Sequence, residues 1–287
     1  MSHVILQDQT AKGARGLTLA HVTDLSEGEL PAFTHAVALA QRSSSTLVSI
    51  HASAGDAGPV RMPHAVDLLV RWRQLDAGAV AGDEQRLGMR HECIVDSCCD
   101  DAVDTLLGAL QRVQPQLLVA STKKRDALER LVLGSVAGAL ALQVRIPTLI
   151  MPLSARSFVE PESGELRLSR VLVAAGDEAA AHVGAAHAVW LADIAGASEL
   201  EVELMQVGSA EQLLTTPVST RALTQLRVSR VTGTFEGQFV ARADSWPADL
   251  LVIATRGHDS PRDVVLGSHA ERVLHHAKCP VLLVPLK

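Results

Sequence analysis

The chain has 287 residues, a length that favours about two domains. Apolar residues make up 47% of it, but with no Tyr, three Trp and four Phe the core must be mainly aliphatic. The net charge of −6, without a long basic run, argues against sequence-independent binding of nucleic acid. The polar N-terminus lacks the apolar stretch of a signal peptide, and Leu131–Val144 is too short to span a bilayer. We therefore expect a cytoplasmic protein without a membrane partner.

Short apolar runs alternate with segments of helical spacing through the first half. Leu17–Val22 predicts a buried strand, and Ser26 is a candidate N-cap for the helix predicted over Leu30–Gln41. The other elements predicted for this half are a strand at Thr46–His51, a helix at Val66–Leu75, a strand at Glu92–Val95, a helix at Asp101–Val113, a strand at Leu117–Ala120, a helix at Ser135–Gln143 and a strand at Thr148–Met151.

The second half follows the same course. Its predicted elements are a strand at Val171–Ala175, a helix at Ala179–Ile194, and strands at Leu200–Val207, Leu250–Ile253 and Val281–Val284. Continuous apolar strands that alternate with helices are typical of parallel sheets covered on both faces. We predict an α/β fold with one domain at residues 14–154 and another at 167–287. Residues 155–166, with Pro161, Gly164 and several acids, form the predicted linker.

One segment of the chain occurs twice. When Leu117–Leu153 is aligned without gaps on Leu250–Leu286, 14 of the 37 positions are identical. A self-match at a fixed spacing indicates duplicated structural units. The two copies also provide an internal comparison, because residues that differ between them can give the two halves different chemistry.

The second copy has features of a phosphate-binding loop. The strand at Leu250–Ile253 leads into Ala254-Thr255-Arg256-Gly257, and Gly267-Ser268 precede the last predicted helix. Glycines allow positive φ and a close backbone approach, and the N–H groups and dipole of a helix N-terminus favour an anion. Such a loop lies at the carboxyl end of a strand, where open α/β sheets bind ligands.

This arrangement resembles the universal stress protein family, whose nucleotide-binding members carry Gly-x2-Gly-x9-Gly-Ser/Thr between the fourth strand and the last helix. The resemblance covers nearly the whole chain as two tandem domains. It implies two open five-stranded parallel sheets with helices on both faces. It also implies that the two final strands pair, so that the halves form an internal pseudo-dimer within one chain. Stress response is the biological setting that it implies.

The family's site residues can be placed on each half by motif position. In the second half they fall on Ala254, Gly257, Gly267 and Ser268, so one glycine is replaced. We expect Arg256 and Ser268 to contact phosphate. In the first half the same positions are Ser121, Lys124, Gly134 and Ser135, so two glycines are replaced, and Lys124 adds a long side chain where close backbone approach is expected.

The family also places an acid after the first strand, near the adenosine. Asp24 matches it in the first half, whereas Asp177 is the only acid available in the second. The resemblance thus implies an adenine nucleotide, ATP with Mg²⁺, in the C-terminal site, with binding in the N-terminal site less favoured. The glycine–serine pairs could instead simply start helices against a sheet.

His91, Cys93, Cys98 and Cys99 lie within nine residues. Thiolates and imidazole are zinc ligands, but the spacing is not that of a Cys-x2-Cys knuckle. The last two cysteines precede a predicted helix, whose N-terminus would favour a redox-sensitive pair. The third interpretation, and the one we favour, is that some of these cysteines are small buried apolar residues.

Three functions are compatible with the sequence. The first is a nucleotide-binding stress protein; the second is an interaction or scaffold protein of the same fold with neither site occupied. The third is an enzyme, at most a weak ATPase, and it ranks last because the sequence supplies no obvious general base beside the loop. The chain also has no GxSxG elbow, no GxxxxGK[ST] loop and no HExxH motif. Pairing of the two halves would let one chain do the work of a homodimer, and further homo-oligomerisation stays open.

Overall fold

The computed structural model describes residues 16–53, 60–97, 101–122, 140, 143–152, 155–208, 223–256 and 268–286. The strands within these residues are β1 (Thr18–Val22), β2 (Thr46–Ala52), β3 (Arg90–Asp96), β4 (Leu117–Ser121), β5 (Thr148–Met151), β6 (Arg170–Ala174), β7 (Leu200–Val207), β8 (Leu223–Val231), β9 (Leu250–Arg256) and β10 (Val281–Leu286). The helices are α1 (Leu30–Arg42), α2 (Ala65–Arg71), α3 (Ala102–Val113), α4 (Glu178–Ala195), α5 (Phe235–Ser245) and α6 (Ser268–His276), with short 3-10 helices at Glu27–Glu29 and Asp83–Leu87.

All ten strands join one sheet, in the order β3-β2-β1-β4-β5-β10-β9-β6-β7-β8. Within each half neighbouring strands are parallel, whereas β5 and β10 pair antiparallel, with Leu149 opposite Leu282. The predicted fold is therefore confirmed: each half is a five-stranded parallel sheet, and the two final strands join the halves.

Buried aliphatic side chains lie on both faces of the sheet, and helices cover both faces, as is typical of parallel sheets. On one face a single cluster of buried residues runs across both halves and includes the inner sides of α1 and α4. On the other face the core is divided into two clusters, one around α3 and one around α5 and α6. Because β4 and β5 are buried at every residue, the apolar runs in the sequence appear as strands without alternation.

Two elements of the second half were not predicted. Strand β8 reads LTQLRVSRV and lies at the edge of the sheet, where most of its described side chains are exposed. It therefore lacks the continuous apolar run by which the buried strands were recognised. Helix α5 follows it and buries only Phe239 and Ala243, so its apolar stripe is narrow. The predicted helix at Ser135–Gln143 falls mostly outside the described residues.

The prediction that Ser26 caps the first helix was wrong. Ser26 precedes the 3-10 helix at Glu27–Glu29, and its side chain makes no capping hydrogen bond. Instead the Asp24 carboxylate accepts the Ser26 N–H at 3.0 Å in a tight turn through Leu25, whose φ is +65°. Helix α1 then begins with Pro31 near its N-terminus, where the missing N–H of proline costs no helical hydrogen bond.

The predicted linker packs against the first half. Its chain folds back on itself through an antiparallel bridge between Val159 and Leu166. The indole N–H of Trp72 donates to the Pro161 carbonyl oxygen at 2.9 Å. Gly164, with φ of +72°, lies so close to the same indole that an added Cβ would be 2.5 Å from a ring carbon. This segment thus fills space beside Trp72.

Replacing Gly164 with Ala tests this packing. We expect Gly164→Ala to lower the free energy of unfolding by several kcal/mol, since positive φ costs an alanine about 1–2 kcal/mol and overpacking adds about 1–3 kcal/mol. Gly16→Ala is the matched control, because φ is +68° there but nothing lies within 4 Å of the added Cβ. Urea unfolding measures both. Equal losses would show that Trp72 tolerates the methyl group.

Candidate functional site

Each half has a crevice where the chain changes direction across the sheet. In the first half the chain runs outward from β1 through β2 to β3 and then returns to β4 on the other side of β1. In the second half it runs from β6 through β7 to β8 and returns to β9 on the other side of β6. Such switch points open at the carboxyl ends of the strands and are where open α/β sheets bind ligands.

Three of the residues that the sequence assigned to the second-half crevice lie at the ends of described elements. Ala174 at the end of β6 pairs with Ile253, so Ala254 lies just beyond the paired part of the two strands. Arg256 ends β9 and Ser268 begins α6. Gly257 and Gly267 lie outside the described residues.

Asp177 lies at the N-terminus of α4, directly after β6. Its Oδ1 accepts the backbone N–H of Ala180 at 2.8 Å, as an N-cap residue does. Asp101 caps α3 in the same way. Asp177 is therefore at the crevice but already has a structural task there, and its assignment to a ribose stays a prediction.

The first-half crevice differs at the same positions. Ser121 ends β4, is 6% exposed, and its hydroxyl donates to the Gly28 carbonyl oxygen at 3.4 Å. This contact links the end of β4 to the segment that follows β1. Ala254 holds the equivalent position in the second half and has no hydroxyl with which to make such a link. Lys124, Gly134 and Ser135 lie outside the described residues.

A buried polar cluster that the sequence did not predict lies in the first half. His21 of β1, Ser49 of β2 and His91 of β3 stand side by side on one face of the sheet. The Ser49 Oγ lies 2.9 Å from His91 Nε2 and 3.4 Å from His21 Nδ1. The Ala65 N–H donates to His91 Nδ1 at 3.2 Å, so the cluster also holds the start of α2.

Burial keeps the histidines of this cluster uncharged. It lowers the pKa of His21 to about 3, with the nearby His91 as a second cause. It lowers the pKa of His91 to about 4, with His64 as a second cause. His35 in α1 is also fully buried, which lowers its pKa to about 4 although its hydrogen bond with the Pro31 carbonyl favours the charged form.

A cavity of about 590 Å³ lies beside this cluster, between the end of β1, the start of α1 and the segment before α2. Its lining includes His21, Glu29, Phe33, Arg61 and Asp67. No sequence motif links residues 21, 49 and 91, because His21 and Ser49 are single polar residues in apolar runs and His91 lies between Arg90 and Glu92. Only the parallel order of β1, β2 and β3 brings them together.

The cysteine cluster is only partly described. The Cys93 Sγ lies 3.9 Å from His91 Nε2 and the same distance from the Pro63 carbonyl oxygen. Cys93 is exposed, but partial burial of its thiol and the nearby Glu84 raise the pKa of that thiol, which lowers its reactivity. Among the described residues no group of three His, Cys, Asp or Glu side chains is arranged for a metal ion. Cys98 and Cys99 lie outside the described residues.

Two matches to one family model cover most of the chain. Residues 19–152 and 195–285 both match the model described as the universal stress protein family. The chain belongs to this family. It carries two family domains in tandem, and this membership supports a role in the stress response. Within the described ranges, no helix has the length and apolar character that crossing a bilayer requires.

Known proteins agree with this membership. The chain is 45% identical over 42 residues to "Universal stress protein Sll1388" from Synechocystis, a match that spans 15% of this chain and only 27% of that protein. Its fold is similar to that of a universal stress protein from Archaeoglobus fulgidus, with a TM-score of 0.65, 17% identity and coverage of 95% and 97% of the two chains. The fold is also similar to that of a putative universal stress protein from Pseudomonas aeruginosa. For this pair the TM-score is 0.60, the sequence identity is 17%, and the match covers 95% of this chain and 94% of the other.

Because of the buried histidines, we expect the free energy of unfolding to decrease as the pH falls. The unfolded chain binds a proton at each histidine near pH 6.5, whereas His21, His35 and His91 in the folded chain do so only near pH 3–4. Between these values the unfolded state carries more protons, so each residue lowers the free energy of unfolding by about 1.4 kcal/mol per pH unit as pH falls.

We expect His21→Phe to reduce the slope of the free energy of unfolding against pH by the amount that corresponds to about one proton. This expectation holds whatever the substitution does to stability at neutral pH. Urea unfolding of both proteins at intervals between pH 7 and pH 4.5 measures the two slopes. Identical slopes would mean that His21 has the same proton affinity in the folded and unfolded chains.

Proposed function

We propose that this protein binds an adenine nucleotide in its second half and acts in the stress response through that binding. The observation that carries the proposal is the switch point between β6 and β9, together with the N-terminus of α6, which is the next described element after β9. The first N–H groups of a helix have no intrahelical acceptor, and the helix dipole favours negative charge. Both features support the proposal of a phosphate group in this crevice.

The small side chain of Ala254 supports the choice of the second half. It lies beyond the last pair of β6 and β9 and adds only a methyl group to the glycine of the family motif. Ser121 at the matching position of the first half instead bonds to Gly28 across the crevice. A ligand in the first half would compete with that link and with the long side chain of Lys124.

The roles that we propose follow the motif. Gly257 and Gly267 allow the backbone to approach the phosphates, Arg256 and Ser268 contact phosphate oxygens, and Asp177 faces the ribose. Mg²⁺ accompanies ATP as the counter-ion of its phosphates. The nucleotide is a bound signal in this proposal, and no step of hydrolysis is assigned to any residue.

A scaffold protein of the same fold is the second candidate. The replaced glycines at Ser121, Lys124 and Ala254 favour it, as does the Ser121–Gly28 link. In that case the protein works through its surface, and neither half responds to nucleotide. Native mass spectrometry of gently purified protein separates the two: one adenine nucleotide per chain supports the first candidate, whereas a bare mass that persists with added Mg-ATP supports the second.

A pair of charge substitutions tests the assignment to one half. We expect saturating Mg-ATP to raise the Tm of the protein by about 5 °C or more, which corresponds to about 2–3 kcal/mol of binding linkage. Gly257→Glu should abolish this rise, because it places a side chain and a negative charge against the phosphates. Lys124→Glu, at the matching position of the first half, should leave it almost unchanged.

Circular dichroism without nucleotide checks that both variants fold. Equal loss in the two variants would contradict the difference between the halves, and an unchanged rise in Gly257→Glu would place the nucleotide elsewhere. Two nucleotides per chain would show that Lys124 does not prevent binding in the first half.

A further inference from the structure

The cavity beside the histidine cluster ends at a buried hydrogen-bond donor that lacks an acceptor. His21 lines the cavity and is 0% exposed, and its Nε2 has no hydrogen-bond partner among the described residues. The Glu29 Oε2 lies 3.9 Å from it, which is beyond hydrogen-bond distance. Buried polar groups normally have a partner, so this nitrogen is available to bond a molecule that enters the cavity.

The hydrogen bonds of the cluster decide which nitrogen of His21 carries the proton. The Ala65 N–H donates to His91 Nδ1, so the neutral His91 ring has its proton on Nε2 and donates to Ser49. We assign the Ser49 hydroxyl proton to His21 Nδ1, because that is the other contact of the Ser49 Oγ and the proton would otherwise have no acceptor among the described residues. Since neutral imidazole has one N–H, His21 carries its proton on Nε2, facing Glu29.

A group that fits between His21 and Glu29 must accept one hydrogen bond and donate another. A hydroxyl does both, whereas an ammonium group cannot accept from His21 and a carboxylate cannot donate to Glu29. Three acids (Glu27, Glu29 and Asp67) and one base (Arg61) line the cavity, and this excess of negative charge disfavours an anion. The same charges attract a cation, so the Nε2–H of His21 is the group that selects against an ammonium ion.

Apart from Thr23 and Ser26, the rest of the lining is apolar. Leu25, Leu30, Phe33, Met62 and Pro63 form the walls, which suit a hydrocarbon body. The volume of about 590 Å³ is within the usual range for small-molecule sites. His21 is the fully buried part of this lining, so the hydroxyl reaches Nε2 after a small displacement of the Glu29 side chain, which is 10% exposed.

We propose that this cavity binds a small neutral alcohol whose hydroxyl bridges His21 Nε2 and Glu29 while its hydrocarbon body packs against Phe33. The site lies between β1, α1 and the segment before α2. It shares no residue with the second-half crevice, so it is independent of the nucleotide proposal.

Three ligands with the same ring test the chemistry of the site. Cyclohexanol, cyclohexylammonium and cyclohexanecarboxylate are titrated into the full-length protein at neutral pH, and ligand-observed NMR gives each Kd. We expect cyclohexanol to bind about tenfold or more tightly than the carboxylate, and more tightly than the ammonium ion. Equal binding of all three, or no binding because water alone occupies the cavity, would overturn the proposal.

Two histidine variants provide the matched comparison. His21→Phe should weaken cyclohexanol binding by about fivefold, the usual value of one hydrogen bond. His35→Phe is the control, because His35 is equally buried but has contacts at both ring nitrogens, with Pro31 and Ser157, and does not line the cavity. An equal effect of the two variants would contradict the bridge.

Two further measurements apply even if His21→Phe does not fold. Nitrogen-15 NMR of the wild-type protein should show the His21 proton on Nε2, and a proton on Nδ1 would overturn the assignment. Glu29→Gln removes one negative charge at constant size, so it should narrow the preference for cyclohexanol over the carboxylate by at least about threefold. An unchanged preference would show that Glu29 does not contact the ligand.

Discussion

The antiparallel hydrogen bonds between β5 and β10 determine how the two halves are arranged. These two strands would each be the edge of a five-stranded sheet if the halves were separate, and each is almost entirely apolar. Exposed edges of that kind pair readily with other chains. By pairing with each other they bury both edges at the centre of the molecule and make one core continuous across α1 and α4.

The positions of both crevices follow from this pairing. Because each half keeps its own strand order, the carboxyl ends of β1 and β4 and those of β6 and β9 form two separate switch points in one continuous sheet. The strands fix the backbone, whereas the loops that follow them supply the ligand chemistry. The same frame can therefore hold one crevice bridged by Ser121 and another with only a methyl group at Ala254.

Most of the fold could be predicted from the sequence because the buried strands are continuous apolar runs. Thr148–Met151 was predicted with its observed bounds, and the internal repeat indicated both halves. Strand β8 was missed, since an edge strand with exposed, alternating polar residues lacks the pattern of its buried neighbours. The histidine cluster was missed for a different reason: residues 21, 49 and 91 are adjacent only across three strands, a relation that no local spacing records.

Because the two halves belong to one chain, their binding loops can evolve independently of each other. In a homodimer assembled from identical chains, one substitution alters both binding loops at once, so neither can be lost without the other. Here the two copies of the repeated segment, Leu117–Leu153 and Leu250–Leu286, can mutate independently. The pairing of β5 with β10 keeps the two halves joined while they do so. One gene can thus keep a half that binds ligand while the other half loses binding or acquires a different ligand. No selection is needed for which subunits associate, because both halves belong to one chain.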